Sequence, residues 1–411
     1  MPPTVLILIG GHLALAPRPQ KEAAAAIAAG FRVVIRGVWW DDALAGEDMT
    51  MAKAMGTEFA PVMDLRSGGI GMLLFRAKQR AAKEIYQRLG WASPRSLGLA
   101  APEMLKVALR LRPRLTMVHS EAGLWVGEQL LKRGFRVGVD FEDWFSEDLP
   151  PQDRVGRPVA AIKRLERTLL RGANPTIATT RVMARNLAKD SSCKRLPEAI
   201  PNSFPWAQAS PASRENLRDQ RDPSAVSFYW FSQTIGPGRG LESLAKALPG
   251  LKGNWQLHLR GSLRNYGTWF DSTFPREIRN RVMLQDMVPN FELRSRSASH
   301  DVGLALEVPL SSSRDLTATN KIFEYLRCGL AVIATATQGQ IEVMEQCPRA
   351  GWVIAPDDVA NLLAVMQGCL DDPARLKEAQ AAASEAAAGP WAWEKFEPRL
   401  QQLIREAVDL P

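Results

Sequence analysis

Val5 to Ile9 is an unbroken apolar run that stops at Gly10-Gly11-His12. An alanine-rich stretch, Lys21 to Ala29, follows and is closed by Gly30, and a second apolar run covers Phe31 to Val38. Apolar runs this short read as buried strands, and the alanine-rich stretch as a helix. Strand, glycine turn, helix and strand form a βαβ unit. Such a unit needs a parallel sheet with helices packed on its faces. The two glycines either let backbone approach a ligand at the strand's carboxyl end or simply make a tight turn.

The alternation then repeats. Leu115 to Val118 reads as a strand ending in His119-Ser120-Glu121. Helix Leu124 to Lys132, strand Phe135 to Asp140, a helix in AIKRLERTLLRGA, strand Thr176 to Ala178 and helix Arg181 to Lys189 follow. Residues 205 to 224 hold prolines, serines and mixed charges without period and read as a linker. A second series begins at Val226. Strand SFYWFS ends at Ser232-Gln233, and the glycine-rich Gly236 to Gly240 leads into helix Leu241 to Leu248. Further strands are expected at Trp255 to Leu259, Val282 to Leu284, Ser299 to Leu306, Leu330 to Thr335 and Gly351 to Ile354, with a helix at Val359 to Leu370. A length of 411 residues suffices for two domains with their own cores. The expected class is therefore α/β with two Rossmann-like domains.

Hydrophobic content of 46% and charged content of 23% fit a globular chain rather than a disordered one. No apolar run is long enough for a membrane span or a signal-peptide core, so a cytoplasmic location is expected. Cys193, Cys328, Cys347 and Cys369 show neither metal spacing nor a disulfide framework. The 52 basic and 44 acidic residues leave +8, which permits an anionic partner: a sugar nucleotide, a phospholipid surface or nucleic acid. Basic residues concentrate in helical sequence between Gly68 and Arg114. There Arg76, Lys78, Arg80, Lys83 and Arg88 fall among Leu73, Leu74, Phe75, Ile85, Tyr86, Leu89 and Trp91. Such helices either lie on an anionic bilayer or are ordinary solvated surface. The basic residues are not interleaved with stacking aromatics in the pattern of any known nucleic-acid-binding module, which argues against nucleic acid.

Asp315 to Thr335, DLTATNKIFEYLRCGLAVIAT, is the densest stretch. Thr319 is placed to cap a helix, supplemented by Asn320, and Gly329 to end it. Ile322, Phe323 and Leu326 share one side, Lys321 and Glu324 another. Free N–H groups, a lysine and a carboxylate at a helix start suit a nucleoside diphosphate; the same pair also reads as an ordinary i,i+3 ion pair. His119, at a strand's carboxyl end, is either structural or part of a site. The acidic run Asp140 to Asp143 is either an acceptor-side loop or a solvated one.

TNKIFEYL, two residues and GLAVIAT resemble the donor-binding helix of retaining GT-B glycosyltransferases of the family-four type, also called glycosyl transferases group 1. The resemblance implies two Rossmann-like domains facing across a cleft. Residues 1–204 would form the acceptor side, 205–390 the donor-binding domain and 391–411 a helix crossing back to the first. It implies a nucleoside diphosphate sugar as donor and transfer with retention to a sugar, lipid-linked or glycan acceptor. Neither metal nor further cofactor is implied, and the setting would be cell-envelope polysaccharide or glycolipid synthesis. Carried over by position, Glu324 would hold the ribose and Lys321 and Arg239 the diphosphate, with Thr319 and Asn320 at the helix start. Val288 would mark the nucleobase, and Gly11 the first glycine loop. His119 would lie near the donor sugar and acceptor, and Glu307 could reach the sugar. Gln233 stands near a family arginine and lacks its charge, a deficit that Lys321 or Arg260 could make good. The family's first acid, eight residues ahead of Glu324, is here Leu316; Asp315 is the nearest acid. Arg239, Lys321 and Glu324 are thus expected to converge on one hollow. Two other readings stay open: a sugar-nucleotide epimerase of the same fold, and a non-catalytic basic protein that binds membrane or nucleic acid.

Overall fold

The computed structural model describes residues 2–66, 70–206 and 221–409. Most of the expected linker, 207–220, and Gly68 and Gly69 of the basic region lie outside them. The chain divides into two compact units, residues 1–201 with 396–411, and residues 202–395.

The first unit is built on seven strands. They are β1 (Thr4–Leu8), β2 (Arg32–Trp39), β3 (Glu58–Asp64), β4 (Leu115–Val118), β5 (Val137–Phe141), β6 (Thr176–Ala178) and β7 (Glu198–Ala199). All pair in parallel, in the order β3-β2-β1-β4-β5-β6-β7. The order reverses direction between β1 and β4, the switch point at which loops after neighbouring strands diverge and leave a crevice. The helix Pro17–Ala28 buries Ala23, Ala25 and Ala26, the small side chains that let it lie close to its neighbours. β3 and the preceding helix Asp42–Ala54 escape the sequence reading. Pro61 within β3 demotes it as a strand, yet β3 is the sheet edge, where a missing N–H costs no ladder bond. The helix Glu397–Asp409 belongs to this unit, where it buries Leu400, Leu403, Ile404, Ala407 and Val408. Arg114 Nε donates to the Val408 carbonyl at 2.9 Å.

The second unit has six parallel strands: β8 (Val226–Thr234), β9 (Trp255–Ser262), β10 (Val282–Gln285), β11 (Val302–Ala305), β12 (Ala331–Thr335) and β13 (Gly351–Ile354). Their order is β10-β9-β8-β11-β12-β13, so the switch point falls between β8 and β11. Trp230, Trp255, Leu257, Leu259, Leu304 and Ile333 form part of its dry core. β11, β12 and the buried stretches of β8 and β9 carry near-continuous apolar runs because helices cover both faces. The helix Asn320–Cys328 ends at Gly329, whose φ of 68° is the left-handed conformation expected of a C-terminal glycine. Two parallel α/β sheets of this order are the GT-B architecture.

Candidate functional site

Two loops meet beside the switch point of the second unit. One leaves β8 as Ile235 to Gly240; the other leaves β11 at Leu306 and Glu307. Gly240 is required there. Its φ is 77°, and a Cβ would stand 2.4 Å from the Leu306 carbonyl oxygen, so any side chain would push the two loops apart. The close approach fixes where the preceding residue, Arg239, can point. Arg239 lines a pocket of about 430 Å³ with Thr234, Gly238, Arg264, Tyr266 and Arg314. No Asp or Glu lines it. Arg239 Nη1 donates to Ser232 Oγ at 3.0 Å, and Arg314 Nη1 to the Gly238 carbonyl at 3.4 Å. Glu242 is turned onto the loop backbone, accepting from Gly238 N at 2.8 Å. Burial, then the Arg314 charge, hold the Arg239 guanidinium below its ordinary pKa. Glu307, next in strength, works the other way and raises it. Arg264 carries a φ of 46°, a left-handed backbone that non-glycine residues seldom hold.

Beside this pocket, Glu307 accepts from Lys321 Nζ at 2.6 Å and from Thr319 Oγ1 at 3.3 Å. Burial pushes the Glu307 carboxyl up, but Lys321 outweighs it and holds the group below the usual carboxylate range. The pair is therefore charged and internally neutral. It also corrects the expected cap: Thr319 makes no side-chain bond to the helix because its hydroxyl goes to Glu307. Asn320 does not supplement the cap either, and its Oδ1 is buried without a partner.

Glu324 departs from expectation most. It is 1% exposed, and its carboxylate takes Arg327 Nη2 at 2.8 Å. The i,i+3 partner is therefore Arg327, not Lys321, and the ribose-holding group of the family pattern is turned into the packing around Cys328. Lys321 and Glu324 are not among the residues lining the pocket around Arg239. Arg260, expected as a spare phosphate cation, is 4% exposed and bound to Tyr229 Oη, the Asp286 carbonyl and Gln285. Gln233 is exposed on β8, and Val288 is half-buried beyond β10; neither lines the arginine pocket. Arg264, Tyr266 and Arg314 were not singled out from the sequence. Their signal was available: each follows a strand's carboxyl end in a repeated βα pattern, where ligand loops form.

At the switch point of the first unit stands a closed network. His119 follows β4, is 2% exposed, and donates from Nε2 to Glu22 and from Nδ1 to Glu142, each at 2.8 Å. Burial pulls the imidazole pKa down, but the two carboxylates hold it well above its ordinary value, so the ring is a cation with both nitrogens used. His119 is therefore not free to orient a substrate. Burial raises the Glu22 carboxyl to about 7, against the pull of His119. Asp140, read both as the last residue of a strand and as the head of the acidic run, lies buried within β5 (Val137–Phe141). It is clamped by Arg18 through Nε at 2.7 Å and Nη2 at 2.9 Å. Among the described residues, Glu22, His119 and Asp140 have the spacing to hold a metal ion. In this structure His119 and Asp140 of that set are engaged by Glu142 and Arg18. Gly11 accepts from Val38 N at 3.1 Å and packs on Trp40, whose ring a Cβ would meet at 2.4 Å.

Residues 228–372 match the family model described as Glycosyl transferases group 1. The match lies within the second unit, and the residues of the arginine pocket lie within the match. No curated protein sequence matches the chain. Among solved structures, the Anabaena protein HepE in complex with UDP-glucose is 15% identical, with a TM-score of 0.70 over 98% of this chain and all of that one. A sucrose-phosphate synthase from Thermosynechococcus elongatus is 16% identical, with a TM-score of 0.72 over 98% of each chain. A glycosyltransferase from Rickettsia africae is 13% identical, with a TM-score of 0.67 over the whole of both. At these identities the likeness is one of fold.

Proposed function

We propose that the chain is a glycosyltransferase that takes a sugar from a nucleoside diphosphate donor. The observation that carries this is the pocket of three guanidinium groups with no lining acid, at the switch point of a group 1 domain. Arg239 and Arg314 would neutralise the diphosphate as the bond to the sugar breaks, which is stabilisation of charge that grows in the transition state. Lys321, held by Glu307, would stand beside them. Glu324 would reach a ribose only by leaving Arg327. Retention at the anomeric carbon and independence from a metal belong to the proposal, with arginines supplying the charge that a divalent ion would otherwise bring. HepE structures are titled as complexes with UDP and with UDP-glucose, so uridine diphosphate sugars are the first donors to try. The test is thermal stability with UDP and GDP. One of them at millimolar concentration is expected to raise the melting temperature by several degrees, as ligand binding to the folded state alone requires. No shift with either would contradict a donor site.

The reading is of a cytoplasmic enzyme working at the inner face of a membrane, on an acceptor for envelope polysaccharide or glycolipid. Its support is the helix Ile70–Leu89. Phe75, Gln79, Ala82 and Tyr86 sit at helical spacing on its less exposed face. Leu73, Leu89 and the following Trp91 are 62%, 77% and 66% exposed, among five cations and one acid, Glu84. Exposed apolar side chains among cations fit an anionic bilayer, at about 1 kcal/mol per basic residue near the surface. No helix of the described residues is long and apolar enough to cross a membrane. Co-flotation with phosphatidylglycerol vesicles at low salt, weakened at high salt, is the expected result. A protein that stays at the bottom of the gradient would remove membrane contact from the proposal.

A further inference from the structure

We infer that Glu307 is a counter-anion built into the donor site: it holds the neighbouring cations in place while the site is empty and opposes the grip of the site on the diphosphate that leaves. This rests on the donor-site reading above and names the residue that governs release of the product. Glu307 follows β11 at the switch point of the second unit, and Gly240 of the other loop presses on its neighbour Leu306. Its side chain is 14% exposed, and Oε1 accepts from both Lys321 Nζ and Thr319 Oγ1. The reach of its charge is wider than these two bonds. Burial pushes the Glu307 carboxyl up, while Lys321 and then Arg314 pull it down past its ordinary value. Burial and Arg314 oppose the charge of Arg239, and Glu307 is the strongest of the influences that favour it. One carboxylate therefore acts on Lys321, Arg314 and Arg239 together. Glu242, the acid nearest in sequence to the glycine loop, is spent on the backbone N–H of Gly238.

A carboxylate in that place has two effects of opposite sign. In the empty site it lessens the repulsion among the cations and fixes Lys321, which stabilises the fold. Once a diphosphate lies against Arg239 and Arg314, the same carboxylate is a like charge beside the ligand, and its burial limits screening by water and salt. A sugar nucleotide carries about one charge per phosphate, whereas the diphosphate left after transfer carries nearly one more on its terminal phosphate. The opposition is therefore strongest towards the product. A site that stabilises the leaving diphosphate with arginines must still let it go, and product release sets the turnover of many enzymes. A neutral side chain at 307 would leave Lys321 as a further uncompensated cation and hold the product harder.

The experiment titrates the full chain calorimetrically with UDP and GDP, each beside a sugar nucleotide of the same base, UDP-glucose or GDP-mannose. Glu307→Gln keeps the shape and an acceptor oxygen for Lys321 and Thr319 but removes the charge. It is expected to bind the preferred diphosphate about five- to twentyfold more tightly than the parent, the effect of one unit charge across several ångströms of partly buried protein, and the sugar nucleotide by a smaller factor. It should also melt below the parent, because Lys321 loses its charged partner. Tighter binding with lower stability is the signature, since a merely structural Glu307 would on removal weaken both. Glu307→Asp keeps the charge and should stay within about threefold of the parent affinity. Equal or weaker diphosphate binding by Glu307→Gln overturns the inference while leaving the donor site standing, and so does a tightening by Glu307→Asp as large as that by Glu307→Gln. If neither UDP nor GDP binds the parent, the donor-site reading fails first and this one with it. Should Glu307→Gln not fold, Lys321→Met is compared with the double variant Lys321→Met, Glu307→Gln, which removes both charges and strands neither. The double variant is expected to bind the diphosphate more tightly than Lys321→Met, and equal affinity overturns the inference.

Discussion

An Arg239→Ala variant turns over about a hundredfold more slowly than the parent enzyme, a loss of roughly 3 kcal/mol in the barrier, while melting within a few degrees of it. The two halves of that expectation have one cause. Burial and then Arg314 work against the Arg239 charge, and only the weaker influences of Glu307 and Tyr266 favour it. Removing it therefore takes away little that stabilises the fold. When a diphosphate leaves, the same charge meets the negative charge that grows in the transition state. The loss should accordingly appear in kcat as well as kcat/KM, since an interaction made mainly in the transition state lowers both. Steady-state kinetics with the preferred donor and a melting curve on the same sample check it. Turnover within about threefold of the parent would remove Arg239 from the chemistry.

Arg18→Met should cost about 3 to 5 kcal/mol of stability, the range for stripping one partner from a buried ion pair. Arg18 is 6% exposed and Asp140 1%. Arg18 also donates to the Ile200 carbonyl at 2.8 Å, so one guanidinium joins the helix Pro17–Ala28, β5 and the end of the first unit's main segment. Without it Asp140 is a buried carboxylate near Glu22, itself raised to about 7 chiefly by burial. For a unit of this size the melting temperature should fall by about 10 °C. The double variant Arg18→Met, Asp140→Leu should recover much of the loss, because it removes the stranded charge as well. A single variant that melts within about two degrees of the parent would show that the pair does not hold the unit together.

Much of the fold was legible because its signal is local. The runs at Val5, Leu115, Trp255 and Ala331 are apolar, short and bounded by glycine or polar residues, and each became a parallel strand. The edge strand with Pro61 and the helix Pro373–Ala388 were less legible. The first breaks the strand pattern, and the second is a run of small residues whose partners lie far away in sequence. The site was harder. Residue types suggested that Thr319 caps the helix and that Lys321 and Glu324 present one cation and one carboxylate on a shared side. Their partners, Glu307, Glu307 again and Arg327, were not legible, because partner choice depends on side-chain packing that spacing along a helix does not encode. His119 shows the same limit. Its place at a strand end was readable, whereas Glu22 and Glu142 come from loci 97 and 23 residues away.

The first unit closes only with the helix Glu397–Asp409, and the 194 residues from 202 to 395 separate its two contributions. During synthesis at the ribosome, the groove that Leu400, Ile404 and Val408 fill stays open while the whole of residues 202–395 is made. The contiguous second half can therefore mature before the half that precedes it, and apolar side chains of the nascent amino-terminal part await their lid in the meantime. For this chain, order of translation and order of completion run in opposite directions.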